Sequence, residues 1–213
     1  MSITVYGRNT SSNVQIVMWA LAELGLEHER LDYGGAFGRT DEAEFRAINP
    51  MGLVPAITDG DVTMFESAAI LRYLAARYGD DSFWPKDPAQ RASLDQWAEW
   101  GKSTFSKALI YEVFWHLVRT PKAQRDPEKL AASVAGLASL AHVAEQQLSR
   151  NAFIASDNFT FADIAFGHAL FRYYSLDFDR VATPKMDAYY RELMHRPAFK
   201  RHVMIDYSSL QVD

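Results

Sequence analysis

Two kinds of hydrophobic spacing divide the chain. Over the first eighty or so positions, short β-branched and aromatic runs alternate with helical stripes. Ile3 to Tyr6 is such a run, closed by Gly7, and reads as a strand. Val14, Val17, Met18, Leu21 and Ala22 then recur at i, i+3, i+4, i+7 and i+8, one face of a helix that Gly25 stops. His28 to Leu31 predicts a second strand, completing a βαβ unit. Residues 32–49 read as loop, with a short helix around Glu42 to Ala47. Ala56-Ile57-Thr58 and Val62 to Phe65 predict two further strands, joined at Asp59-Gly60. Ser67 is expected to cap a helix that runs to about Tyr78 and stops at Gly79. The order β-α-β-α-β-β-α fits a mixed four-stranded sheet with helices.

Beyond Pro85 and Pro88 strand signals vanish and only helical spacing remains. One stripe runs Leu94, Trp97, Gly101, Phe105, Ala108, Trp115, and another Leu130, Val134, Leu137, Ala141, Ala144, Leu148. Thr160-Phe161-Ala162-Asp163 has the form of a capping box with a short acid at its fourth position, opening a helix expected to reach about Tyr174. A further short helix is expected after Pro184. The predicted organisation is an α/β domain over 1–80, a linker over 81–88 and an all-helical domain over 89–213, with no further domain expected after it.

Charge and composition narrow the chemistry. The formal net charge is −5 with both signs scattered and no basic block, which argues against nucleic acid or an anionic membrane as partner. No apolar run approaches the roughly 20 residues of a membrane-spanning helix. The N-terminus lacks the apolar stretch of a secretory signal, so a cytoplasmic location is expected. The chain has 0 cysteines. That removes disulfides, thiolate metal sites, cysteine nucleophiles and thiol–disulfide exchange together. No metal is expected, and any sulfur that reacts must arrive with a ligand.

The motifs then converge. Asn49-Pro50-Met51-Gly52-Leu53-Val54-Pro55, followed by Phe65-Glu66-Ser67-Ala68-Ala69-Ile70-Leu71-Arg72-Tyr73-Leu74, closely resembles the glutathione transferase family, and Thr160 to Asp163 matches that family's C-terminal domain. The resemblance covers nearly the whole chain. It implies a thioredoxin-like N-terminal domain, an all-α C-terminal domain, and glutathione as co-substrate with no permanently bound cofactor. It implies that Val54-Pro55 is cis, so that the Val54 backbone pairs with the cysteinyl backbone of glutathione like an added strand. It implies that Glu66 and Ser67, at a helix N-terminus, receive the γ-glutamyl group.

The loop Thr10-Ser11-Ser12-Asn13 lies between the first strand and first helix, where thioredoxin-like folds carry reactive residues. A hydroxyl donating to the glutathione sulfur would favour the thiolate over the thiol, with the helix N-terminus adding to it. Alignment with the serine-type classes (theta, delta and zeta) puts Ser11 on the catalytic serine, with Thr10 and Ser12 as alternatives and Asn13 orienting the ligand. One of the three hydroxyls is expected to cap the helix. Tyr6 is a rival, since other classes use a tyrosine near this point, but core packing is preferred for it. Many relatives carry a cation where Leu53 stands, which leaves Arg39 or Arg46 as candidate partners for the glycyl carboxylate.

By the same resemblance the second substrate sits against the first long helix of the helical domain. There Tyr111, Phe114 and Trp115 supply apolar surface, with Tyr111 and Trp115 on one face as the expected pocket for a hydrophobic electrophile; His116 points elsewhere. The expected activity is conjugation of glutathione, as a glutathione S-transferase. A glutathione-dependent isomerase, dehalogenase or peroxidase would use the same site. A non-catalytic glutathione-binding or interaction module is the contrasting reading. A homodimer is expected, with Arg72 and Tyr73 as candidate contributors.

Overall fold

A computed structural model describes residues 3–212; Met1, Ser2 and Asp213, including the first two positions of the chain start considered above, lie outside the described residues. Strands β1 (Ile3–Tyr6), β2 (His28–Leu31), β3 (Ala56–Asp59) and β4 (Val62–Phe65) form one sheet in the order β2-β1-β3-β4. β1 runs parallel to β2 and antiparallel to β3, with Tyr6 opposite Ala56 and Thr4 opposite Thr58. Helices α1 (Ser12–Glu23), α2 (Ala43–Ile48) and α3 (Ser67–Tyr78) complete the β-α-β-α-β-β-α order expected. Gly25 (φ +65°) ends the α1 turn and Gly60 (φ +59°) makes the β3–β4 hairpin, conformations that side chains disfavour.

At the start of α3 the structure corrects the reading. Ser67 is the first helical residue and Glu66 holds the N-cap position, at φ +69° and with no side-chain capping bond.

The helical domain begins with α4 (Pro88–Glu99), capped by Asp87, whose carboxylate accepts from the Ala89 N–H at 3.1 Å. The rod continues through wider, π-type turns over Trp100–Phe105 and Ala108–Arg119; the Ser106 N–H bonds the Gly101 carbonyl, five residues back. Gly101 is where the rod crosses the next layer: a Cβ there would lie 2.8 Å from Phe166 Cβ. α5 (Pro127–Leu148) is capped by Asp126. α6 (Phe161–Gly167) opens on the reciprocal Thr160–Asp163 capping box. It stops at Gly167, short of the expected Tyr174, because His168 and Ala169 form a tight turn before α7 (Leu170–Ser175). Gly167 is pressed against α8 and α1, its would-be Cβ 2.7 Å from Leu193 and 3.1 Å from Trp19. α8 (Pro184–His195) follows Pro184 as expected, and α9 (Pro197–His202) is a short helix the spacing did not disclose.

The two halves share one core. Val14, Val17, Met18 and Leu21 of the predicted α1 stripe are buried and Ala22 at its end is partly exposed; Gln15, Ile16, Trp19 and Ala20 outside the stripe are buried as well, because α6 and α9 cover the face that the sheet leaves open. Glu23 at the end of α1 accepts from Trp19 Nε1 at 2.8 Å and pairs with Arg196 at 2.6 Å. Arg72 on α3 ion-pairs with Asp95 and Glu99 on α4.

Buried His168 joins this core to the rod, its Nε2 3.0 Å from Ser106 Oγ. Burial, then the charges of Lys102 and Arg172, push its pKa down to about 3. The folded state thus keeps the imidazole neutral while the unfolded chain takes up a proton below about 6.5. Stability from this group is present above that pH and lost as pH falls towards 3. Between pH 7 and pH 5 the wild type is expected to lose about 2 kcal/mol more than His168→Asn, read from urea unfolding at each pH. Parallel pH profiles for the two proteins would refute this.

Candidate active site

The β1–α1 loop, the turn ahead of β3 and the π-type stretch of the rod enclose a cleft of about 260 Å³. Of the residues singled out in the sequence, Thr10, Ser11, Ser12, Asn13, Leu53, Val54, Tyr111, Phe114 and Trp115 line it. Pro55 is buried beneath, and Glu66 and Ser67 are not part of this lining.

Ser11 is the N-cap of α1, in extended conformation (ψ 121°), yet its hydroxyl makes no capping bond. Among the described residues none of the three neighbouring hydroxyls caps this helix, contrary to expectation. The helix start therefore keeps its unpaired N–H groups and partial positive charge next to a free hydroxyl. Two bonds from elsewhere hold the loop: Gln15 Nε2 donates to the Asn9 carbonyl at 3.0 Å, and Arg172 Nη2 donates to the Thr10 carbonyl at 2.7 Å. Ser12 is 9% exposed, whereas Ser11 is only half-buried.

The Val54–Pro55 bond is cis. The Val54 N–H and C=O have no backbone partner among the described residues, so this short extended piece offers a strand edge at the cleft. The turn before it is fixed by Asn49, whose side chain donates to the Leu53 carbonyl at 2.6 Å and accepts from the Met51 N–H. Asn49 is 2% exposed.

Glu66 and Ser67 stand at the start of α3; Glu66 is exposed and Ser67 is 3% exposed. A second hollow of about 220 Å³ runs beside the cleft and shares Ser12, Asn13, Ile110 and Tyr111 with it. Lys102 lines this hollow; burial lowers its pKa, opposed by the charges of Glu66 and Glu99. The hollow thus reaches from the reactive loop to within the field of Glu66.

Tyr111 (54% exposed) and Trp115 (46% exposed) pack against each other with ring centroids 5.6 Å apart and planes tilted by 50°, forming an open aromatic wall. Phe114, proposed with them, is 1% exposed and belongs to the core, edge-on to Tyr207. Tyr6 packs with Tyr33 and Phe45 under the sheet and does not reach the cleft. His116 is also absent from it. Arg39 lies over the Tyr33 ring and pairs with Glu42, and Arg46 donates to the Pro50 carbonyl; neither lines the cleft. Arg72 is engaged with α4, and the Tyr73 hydroxyl donates to Asp59 at 2.7 Å. Both candidates for a subunit contact are thereby occupied within the chain.

Sequence reasoning missed three cations of the cleft, Arg8, Arg119 and Arg172. Arg172 had a signal: it interrupts the aromatic run Phe171, Tyr173, Tyr174.

Comparison with known proteins agrees with this geometry. The family model for the glutathione S-transferase N-terminal domain matches residues 1–76, and that for the C-terminal domain matches 107–197. Glutathione S-transferase GstB of Escherichia coli K12 is 36% identical over 208 residues, 97% of this chain and 100% of the relative. Glutathione S-transferase 3 of Zea mays is 34% identical, covering 94% of this chain and 93% of the relative. Among solved structures, the theta class glutathione S-transferase of Xanthomonas axonopodis pv. citri with glutathione bound superposes with a TM-score of 0.91, at 37% identity over 96% of this chain and 98% of that one.

Proposed function

This chain belongs to the glutathione S-transferase family, and on that footing we propose that its cleft sets the sulfur of glutathione beside Ser11 for attack on a small electrophile. The enzyme is a glutathione S-transferase, with glutathione as co-substrate and no permanently bound cofactor. What carries the assignment of roles is the meeting, in one cleft, of a free hydroxyl at a helix N-terminus and an unpaired strand edge at a cis-proline turn.

In this reading the Val54 backbone pairs with the cysteinyl unit, and Pro55 fixes the turn. Glu66 and Ser67 hold the γ-glutamyl group, with the α3 N-terminus favouring its carboxylate. Ser11 donates to the sulfur and Asn13 orients the ligand. A thiol near pKa 8.5 is mostly protonated at neutral pH, so a donor and a helix dipole aimed at the sulfur raise the thiolate fraction without covalent chemistry on the protein. Tyr111 and Trp115 then present their exposed aromatic faces to the electrophile.

The division at 1–80, 81–88 and 89–213 is kept as part of the proposal, since the two family matches fall on either side of it. So are a homodimer, supported by the exposed apolar Met51 beside the cis-proline turn, and a cytoplasmic location. No helix among the described residues is long and apolar enough to cross a membrane. Sedimentation at micromolar concentration checks the dimer.

The expected result for function is retention on immobilised glutathione together with turnover of 1-chloro-2,4-dinitrobenzene. Retention without turnover on any electrophile would instead leave a binding module.

A further inference from the structure

The cleft is strongly cationic in a chain whose net charge is −5. Arg8, Arg119 and Arg172 all line it, and its lining includes no Asp or Glu. Among the described residues none of the three has a carboxylate within 4.0 Å. Arg172 is 4% exposed; its one hydrogen bond goes to the Thr10 carbonyl, and its guanidinium lies 4.4 Å over the Phe114 ring. Arg8 Nε is buried with no hydrogen-bond partner. The Arg8 side chain is laid against glycines, a Cβ on Gly35 meeting it at 3.0 Å. Arg119 is exposed, its guanidinium 5.4 Å from the Trp115 ring centroid.

Buried cations are ordinarily paired, since desolvation alone disfavours them. Burial pushes Arg172 down to about 10, with repulsion from Arg8 and Arg119 adding to it against the opposing influence of Tyr207. Arg8 is lowered by burial and by Arg119. Three guanidinium groups that repel one another around an open hollow would gain from an entering anion what they lack from the protein. The exposed faces of Tyr111 and Trp115 beside them suit an aromatic ring.

We propose that the electrophile taken by this cleft is an aromatic ring bearing a carboxylate, with the ring on Tyr111 and Trp115 and the anionic group on Arg8, Arg119 and Arg172. This rests on the transferase reading above and adds a substrate class to it. With an aryl chloride the thiolate sulfur attacks the ring carbon that carries chlorine. A C–S bond forms, the C–Cl bond breaks, and chloride leaves with the electron pair; the thiol proton goes to solvent.

The test compares 4-chloro-3-nitrobenzoate with its neutral amide, 4-chloro-3-nitrobenzamide, each kcat/KM divided by the uncatalysed rate with glutathione. The benzoate is expected to lead by about tenfold, falling towards parity in Arg119→Gln, in Arg8→Gln and in about 0.5 M salt, as charge–charge recognition requires. The wild-type ratio needs no variant to fold. A ratio at or below one, with 1-chloro-2,4-dinitrobenzene still turned over, overturns the proposal and leaves the transferase reading standing. Running γ-glutamylcysteine in place of glutathione separates the two carboxylate sources. The benzoate preference should persist with it. If the variants erase only the advantage of glutathione over γ-glutamylcysteine, the arginines hold the glycyl carboxylate and the proposal fails. Calorimetry reads the same preference without catalysis: S-(4-carboxy-2-nitrophenyl)glutathione should bind about tenfold tighter than its carboxamide. Equal affinities overturn the proposal. A retained tenfold difference with no turnover of any electrophile would sink the transferase reading and uphold the anion site.

Discussion

Ser11→Ala is expected to slow glutathione turnover by about 10²-fold, the usual loss when one preorganised donor to a developing or bound anion is removed. The fall should come in kcat, with a small change in KM for glutathione, because the ligand is held elsewhere along its length. Its cause should be visible directly. Thiolate absorbance against pH should show the pKa of bound glutathione rising in the variant, so that less thiolate is present at neutral pH. The proposal places the role on Ser11 because of its position at the α1 N-cap. Ser12 is 9% exposed, and the Thr10 peptide is tied back by Arg172. Ser11 is half-buried on the cleft with its hydroxyl uncommitted at the α1 N-cap. An unchanged titration in Ser11→Ala would move the role to Thr10 or Ser12, to be tested by Thr10→Val and Ser12→Ala.

The largest loss of stability is expected from Asp163→Ala. Asp163 is fully buried and accepts from the Ile154 N–H at 2.9 Å, the Thr160 N–H at 2.8 Å and the Tyr189 hydroxyl at 2.9 Å. One carboxylate thus closes the α6 capping box, pins the loop before it and ties in α8. Its removal strands two backbone donors and a phenol in the core, a cost of about 4 kcal/mol. In a chain of this size the melting temperature should drop by roughly 10 °C. Asp163→Asn should recover only part, since an amide has one oxygen to offer those donors and brings an NH₂ against the rest. A variant that melts with the wild type would show that the network adds little.

Much of this architecture was legible because its signals are local. The β-branched and aromatic run Ile3 to Tyr6, the stop at Gly25, the hairpin at Asp59-Gly60 and the Thr160–Asp163 box each depend on neighbours in the chain, and each appears in the structure. Where the reading slipped, a contact from another element decided the matter. α6 ends in the tight turn at His168 and Ala169, where Gly167 packs against Leu193 of α8 and Trp19 of α1. Phe114 is core and Tyr111 is not, although both lie on an apolar face, because Tyr207 and Arg172 close over one of them. The π-type turns of the rod have no counterpart in a 3.6-residue pattern.

The candidate site divides in the same way. The motif around Val54-Pro55, the Glu66-Ser67 start of α3 and the absence of any cysteine are properties of the chain itself, and they already directed attention to glutathione and to a sulfur supplied by it. The sequence could not say that the hydroxyl of Ser11 is left free, since whether a side chain caps its own helix depends on the rotamer and on what holds the loop. It could not bring Arg8, Arg119 and Arg172 together from three distant segments. Local spacing determines which elements form, because backbone hydrogen bonds and side-chain periodicity act over a few residues. The charge and shape of the cleft were decided only by tertiary packing, because burial and Coulomb repulsion depend on distances through space.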